Sequence, residues 1–170
     1  VAEDEIGIRS ILVDALESVG HETIGVSNGN EALKTICSLF NMNRHVDLLV
    51  TDIKMPEMNG LELIENLEKQ GIFVPVLVLT GYGDKELLVE LIRRGCRDYL
   101  DKPFKLSELI DRVGRVVAKE DEARVKVADY ILRVEKSKRS SVSPNDTRIG
   151  AINKGVAVRK IGSEWIMLDI

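Results

Sequence analysis

Val46-Asp47-Leu48-Leu49-Val50-Thr51-Asp52-Ile53-Lys54-Met55-Pro56-Glu57-Met58-Asn59-Gly60 is an apolar run that ends on a carboxylate and then turns. Leu48, Leu49 and Val50 are too few for a helix and carry no polar alternation, so they read as a strand covered on both faces, as in parallel α/β sheets. Asp52 then emerges at the carboxyl end of a central strand. Open α/β sheets place their chemistry in the crevice outside those strand ends, which makes Asp52 a candidate reactive group. Met55-Pro56 and Asn59-Gly60 force a loop, and helical period resumes from Leu61 to Glu68.

The pattern repeats outward from this stretch. Upstream, Ile8, Ile11, Leu12, Ala15, Leu16 and Val19 form an apolar stripe at helical spacing, closed by Gly20. Thr23 to Val26 reads as a short strand, and Ser27-Asn28-Gly29-Asn30 as a turn able to cap a helix bearing Ala32, Leu33, Ile36 and Leu39. Downstream, Val74 to Thr80 is a second buried strand with Pro75 confined to its start. Gly81-Tyr82-Gly83 leads into a helix with Leu87, Leu88, Leu91 and Ile92, ended by Gly95. Arg97 to Leu100 is a short strand, Asp101 to Phe104 a turn, and Leu106 opens a last helix. Strands alternating with helices predict a doubly wound α/β fold with a parallel sheet. Such a sheet should open with a strand before Glu3, of which only Val1-Ala2 remains.

Composition narrows the class. The chain has 170 residues, 44% apolar and 31% charged, which is globular rather than disordered and leaves something over after one ordinary domain. No run of about eighteen uncharged apolar residues occurs, and the acidic start is not a signal peptide, so the cytoplasm is the expected location. Cys37 and Cys96 have no paired or metal-ligand spacing and read as small buried thiols, while His21 and His45 flank strands. Residues 1 to 120 carry 14 basic and 21 acidic side chains, and residues 121 to 170 carry 10 and 7. The acidic part does not support nucleic-acid binding, and the basic residues around Arg133 to Arg139 read as a solvated linker.

The C-terminal third departs from the pattern. Leu106, Val113, Val127 and Val134 recur every seven residues, as do Leu109, Val116, Ala123 and Tyr130, with Glu120 the charged intruder. Two readings fit: one long helix pairing with a second copy, or two helices broken near Glu120. Ser137 to Asp146 has linker composition. Ile149 to Ile152, Gly155 to Ile161 and Trp165 to Ile170 read as a short β meander, the opening of a truncated output domain.

Chemistry gathers at the strand ends. Glu3 and Asp4, Asp52, Thr80 and Lys102 each follow a parallel strand and so reach the same edge. Packed carboxylates repel unless a cation balances them, and an oxygen-only set suits Mg2+. An Asp nucleophile beside a metal, a hydroxyl and a lysine is equipped for phosphoryl transfer through an aspartyl phosphate. Taken singly, each residue has a plainer explanation: Glu3 and Asp4 as first-turn acids, Asp52 as a turn acid, Thr80 as a strand end, Tyr99 as a packed aromatic, Lys102 as a surface lysine.

As a set, Glu3-Asp4, Asp52-Ile53-Lys54-Met55-Pro56 with Asn59-Gly60, Leu79-Thr80-Gly81 and Tyr99-Leu100-Asp101-Lys102-Pro103-Phe104 resembles the receiver domain of two-component response regulators, over about residues 1 to 118. The resemblance implies a flavodoxin-like sheet of order 2-1-3-4-5. It implies that Asp52 accepts phosphate from the phosphohistidine of a sensor histidine kinase or phosphotransfer protein. It also implies that Asp4, Asp52 and the backbone carbonyl of Lys54 hold Mg2+, with Glu3 assisting through water. Thr80 and Tyr99 would be the switch pair, and Lys102 would contact the phosphoryl group. Gly81, a small residue after Thr80, keeps the phosphoryl pocket open.

The domain reading is then a receiver at 1–118, a helical extension and linker at 119–146, and the short β segment at 147–170. The expected role is a phosphoacceptor regulator, not an enzyme beyond slow loss of its own phosphoryl group, with a homodimer formed through the last helix. Two other functions compete: an aspartate-nucleophile phosphohydrolase, whose second acid would stand where Lys54 is, and an unphosphorylated interaction module of the same fold.

Overall fold

A computed structural model of the chain describes residues 1–81, 85–94, 96–140, 156–161 and 164–169. Two compact units divide it, 1–126 and 127–170.

In the first unit, strands β1 (Leu49–Asp52), β2 (Val76–Thr80) and β3 (Asp98–Asp101) form a parallel sheet in that order. Two further lanes are reduced to single residues. Ala2 bridges Thr51 on one side and Val26 on the other, both in parallel, so the lanes taken in chain order run 2-1-3-4-5. Val1-Ala2 is thus seated in the sheet: Ala2 is fully buried, its N–H donates to the Val50 carbonyl (2.8 Å), and its own carbonyl accepts from Asp52 N–H (2.9 Å). The strand expected over Thr23 to Val26 narrows to the Val26 bridge, with Ile24 left half exposed.

Residue alternation along the strands sorts the core into two layers. Leu49, Ile53, Val76 and Val78 face Ala32 and Ile36 of α2 (Gly29–Asn41), Leu63, Ile64 and Leu67 of α3 (Gly60–Lys69) and Leu91 of α4 (Lys85–Arg93). Val50, Leu77, Leu79 and Leu100 face Leu12 and Leu16 of α1 (Ile6–Glu17) and Leu109 and Val113 of α5 (Leu106–Ser140). Both faces are therefore covered, as the unbroken apolar strands require.

The helices begin where their caps dictate. Asn28 caps α2 by accepting from Glu31 N–H (2.9 Å), and Asn59 and Glu62 form a reciprocal capping box on α3. Part of the predicted helical stripes faces solvent: Ile11 and Val19 of the first, and Ile92 on α4, are about half exposed. A two-layer packing uses a narrower face of each helix than a three-to-four spacing allows.

The last helix is continuous from Leu106 to Ser140, with no break at Glu120. Glu120 is instead an ion-pair partner of Arg97 (2.6 Å), just ahead of β3, while Arg124 reaches Asp47 (2.7 Å), just ahead of β1. Ser137 to Ser140, expected as linker, are helical. In the second unit, β4 (Val156–Ile161) and β5 (Glu164–Asp169) pair antiparallel as a hairpin, Val156 opposite Asp169 and Ile161 opposite Glu164. The remainder of the linker, the first meander strand at 149–152, the loop at 82–84 and the Gly95 helix stop lie outside the described residues.

Candidate functional site

Each strand end delivers its side chain to one edge of the sheet. Asp52 closes β1 and is buried, held there from three directions. Ile53 N–H donates to the Leu79 carbonyl (3.2 Å), Lys54 N–H donates to Asp52 Oδ1 (3.3 Å), and the Thr51 hydroxyl donates to the Asp52 carbonyl (2.9 Å). Gly60 lies so close behind that a Cβ there would stand 2.5 Å from the Asp52 carbonyl oxygen, so any larger residue would displace the strand end. Glu3 and Asp4 follow the Ala2 lane; Glu3 is 1% exposed and Asp4 open to solvent.

Carboxylate oxygens of Glu3, Asp4 and Asp52 all lie within 4.8 Å of one another, the only such acidic or metal-ligating group among the described residues. Lys102 comes from the loop after β3, across a cis peptide to Pro103. Its N–H donates to the Thr80 carbonyl (2.7 Å), which ties the loop to the end of β2. Its ammonium donates to Glu3 Oε2 (2.7 Å) and Asp52 Oδ2 (2.6 Å). Residues 99 and 50 positions apart in the chain thus meet at one lysine.

Three carboxyl groups share the cluster with one ammonium, which Glu3 and Asp52 contact directly. Burial pushes the Glu3 carboxyl above its usual range, and the Asp52 charge adds to this; the Lys102 hydrogen bond opposes it without overcoming it. For Lys102, burial alone would lower the pKa, but hydrogen bonds and charge from Asp52 and Glu3 together raise it above the usual lysine value. The lysine is therefore held as a cation between the Glu3 and Asp52 carboxyl groups. Hard divalent cations prefer such an oxygen set, and carboxylate oxygens this close fit one ion.

The remaining predicted residues are placed less uniformly. Thr80 is buried at the end of β2, in register with Asp101, and its hydroxyl donates to the Gly81 carbonyl (3.4 Å). Lys54 has an exposed residue surface while its backbone belongs to the loop that grips Asp52. Tyr99 lies on the outer alternation of β3, 39% exposed, beside the buried Leu100. One contributor escaped the sequence reading: Arg9 in α1 donates to the Glu3 carbonyl (2.6 Å) and the Asp4 carbonyl (3.1 Å), clamping the backbone beneath the acid pair. Its only sequence signal is a basic residue one helical turn into α1 from two acids.

A family model described as the response regulator receiver domain matches residues 1–114. The chain belongs to the response regulator receiver family. Receiver domains of this family are phosphorylation-dependent signalling switches of two-component systems, and that is the function of this domain. Among the relatives, nodulation protein W of Bradyrhizobium diazoefficiens is 31% identical over 92% of this chain and 69% of its own length. The DNA-binding transcriptional regulator NtrC of Salmonella typhimurium is 33% identical over 69% of this chain. The chain spans only 24% of NtrC, whose further regions it does not match. The crystal structure of the receiver domain of NtrX from Brucella abortus is 33% identical and superimposes with a TM-score of 0.60 over 69% of this chain and 95% of that one. Among the described residues no helix is long and apolar enough to cross a membrane.

Proposed function

We propose that Asp52 is the phosphoacceptor of this receiver and that the acids and lysine around it form the transfer site. The supporting observation is the meeting of Glu3, Asp4, Asp52 and Lys102 at one strand edge. A carboxylate oxygen of Asp52 attacks the phosphorus of a phosphohistidine on a sensor kinase or phosphotransfer protein. The new P–O bond forms as the P–N bond breaks, and the electron pair leaves with the imidazole nitrogen. Magnesium, held by Asp4, Asp52 and the Lys54 carbonyl with Glu3 assisting, would supply positive charge to the transferring oxygens. Lys102, already a fixed cation, pairs with the phosphoryl group, and the Thr80 hydroxyl donates to one of its oxygens.

Transfer changes charge where Lys102 and Thr80 meet. Thr80 turns toward the new acceptor, and Tyr99 on the adjoining strand moves with it, which biases the face made by β3 and α5. From Arg97 onward that face is bolted to α5: Arg112 donates to Asp98 Oδ1 (2.8 Å) and the Tyr99 carbonyl (2.9 Å). The extension of α5 beyond residue 118 carries the response onward along the chain, and its heptad-spaced Ala123, Val127 and Tyr130 would pair with a second copy. The domain acts as a switch in the cytoplasm rather than as a turnover catalyst.

The test uses beryllofluoride with Mg2+ as a phosphoryl mimic. Wild type should bind it, with a rise in melting temperature, and Asp52→Asn should not. Equal behaviour of the two proteins would remove Asp52 from the role.

A further inference from the structure

Resting on the phosphoacceptor reading, we infer that Gly29 and Asn30, the first residues of α2, are positioning residues that seat the loop after Asp52 and so aim the transfer site. This helix has no part in the site described above.

The loop from Ile53 to Asn59 leaves the end of β1 and must return to start α3. Its outgoing limb is held by the sheet through Ile53, and its far end by the α3 capping box. The return limb at Glu57 and Met58 rests on α2. Gly29 N–H donates to the Met58 carbonyl (3.1 Å), and the Asn30 side-chain amide donates to Glu57 Oε2 (3.1 Å). Gly29 is buried at the contact, and a Cβ there would stand 2.4 Å from the Met58 carbonyl oxygen and 2.8 Å from Met58 Cγ. Backbone lies against backbone, so a side chain at 29 cannot be accommodated by a rotamer change alone.

Two further observations make the seat consequential. Glu57 has φ +65°, a left-handed conformation that a non-glycine residue keeps only when its neighbours hold it. The platform itself is stiff: Asn28 caps the helix, and both the N–H and the hydroxyl of Ser27 donate to Glu31 Oε2 (2.7 Å each). A rigid helix end therefore sets the height of a conformationally costly loop. Within that loop, Lys54 N–H orients Asp52 Oδ1. Lifting Met58 off Gly29 would move the backbone at Lys54 and rotate the Asp52 carboxylate, and misplacement by a fraction of an ångström to an ångström is enough to slow chemistry strongly.

Gly29→Ala tests this, with Asn30→Ala as the milder variant and Gly114→Ala as the control, since a Cβ at Gly114 meets nothing within 4 Å. In metal-free protein the backbone amide resonances of residues 53–59 should shift in Gly29→Ala and stay in place in Gly114→Ala. Mg2+-dependent beryllofluoride affinity, and the rate of labelling by acetyl phosphate, should both fall about tenfold in Gly29→Ala. Asn30→Ala should lose about threefold in both at an unchanged metal-free melting temperature. Unmoved loop resonances, or wild-type affinity and rate in folded Gly29→Ala, would overturn the proposal. Should Gly29→Ala not fold, wild-type affinity in Asn30→Ala does the same. If wild type and Asp52→Asn behave alike, the phosphoacceptor reading fails while the loop resonances still decide the seat.

Discussion

Two places in this receiver gather three carboxyl groups and one cation, and they are built for different ends. Between α3 and α4, Arg94 binds Glu65 (2.8 Å), Glu68 (3.1 Å) and Glu90 (3.2 Å). At the strand edge, Lys102 binds Glu3 and Asp52 while Asp4 lies within reach of both acids. The charges are the same in number, but the surroundings are not. Around Arg94 every partner is about a third exposed, so water shares the load and each acid faces its own guanidinium N–H. Around Lys102 the acid side chains are 2% and 12% exposed, and their oxygens converge on a point rather than fanning out along a fork. One arrangement clasps two helices; the other gathers carboxylate oxygens closely enough to hold a cation.

Substitutions can break this contrast. The largest effect is expected for Asp52→Asn, which should abolish labelling by acetyl phosphate, measured as the mass gain of one phosphoryl group. Glu65→Gln at the other cluster should leave labelling intact. Next, Lys102→Ala strands two buried acids and should cost about 2 kcal/mol in metal-free urea unfolding. Arg94→Ala, with solvent screening its partners, should cost about 1 kcal/mol or less. Raising salt should shrink the Arg94 effect and leave most of the Lys102 effect, because screening acts on exposed charges first.

Acidity sharpens the comparison with a smaller effect. The folded-state pKa of Glu3 lies above its unfolded value, so its contribution to stability is complete below the ordinary glutamate range and is lost as pH rises through the raised value. Metal-free Glu3→Gln should therefore melt higher than wild type at neutral pH, with the gap closing on acidification. Lys102 is also raised, so its contribution persists through neutrality and is lost only as pH climbs through a value above the usual lysine range. Thermal melts across the two windows would check both signs.

Much of the site was legible because parallel strands share a direction. Once Leu48 to Val50 and Val76 to Leu79 read as covered strands, Asp52 and Thr80 had to reach the same edge, and Lys102 followed from the strand before it. What stayed illegible depended on packing across long separations. Glu120 looked like a flaw in a heptad because its partner Arg97 is 23 residues away in sequence. Arg9 gave no sign that its guanidinium would reach back to the Glu3 and Asp4 carbonyls rather than to a carboxylate. Ile11 and Ile92 matched the stripes of their helices, yet each lies at an edge that the sheet does not cover.

By itself the sequence determined the period of each segment, the edge to which each reactive side chain is carried, and the residue types available there, since these follow from local backbone geometry and strand polarity. Only the tertiary structure decided which acids share Lys102, how deeply Glu3 is buried, that Ala2 alone bridges the lanes of Val26 and β1, and that α5 runs unbroken. Those depend on distances between segments far apart in the chain, which side-chain spacing along one segment does not encode.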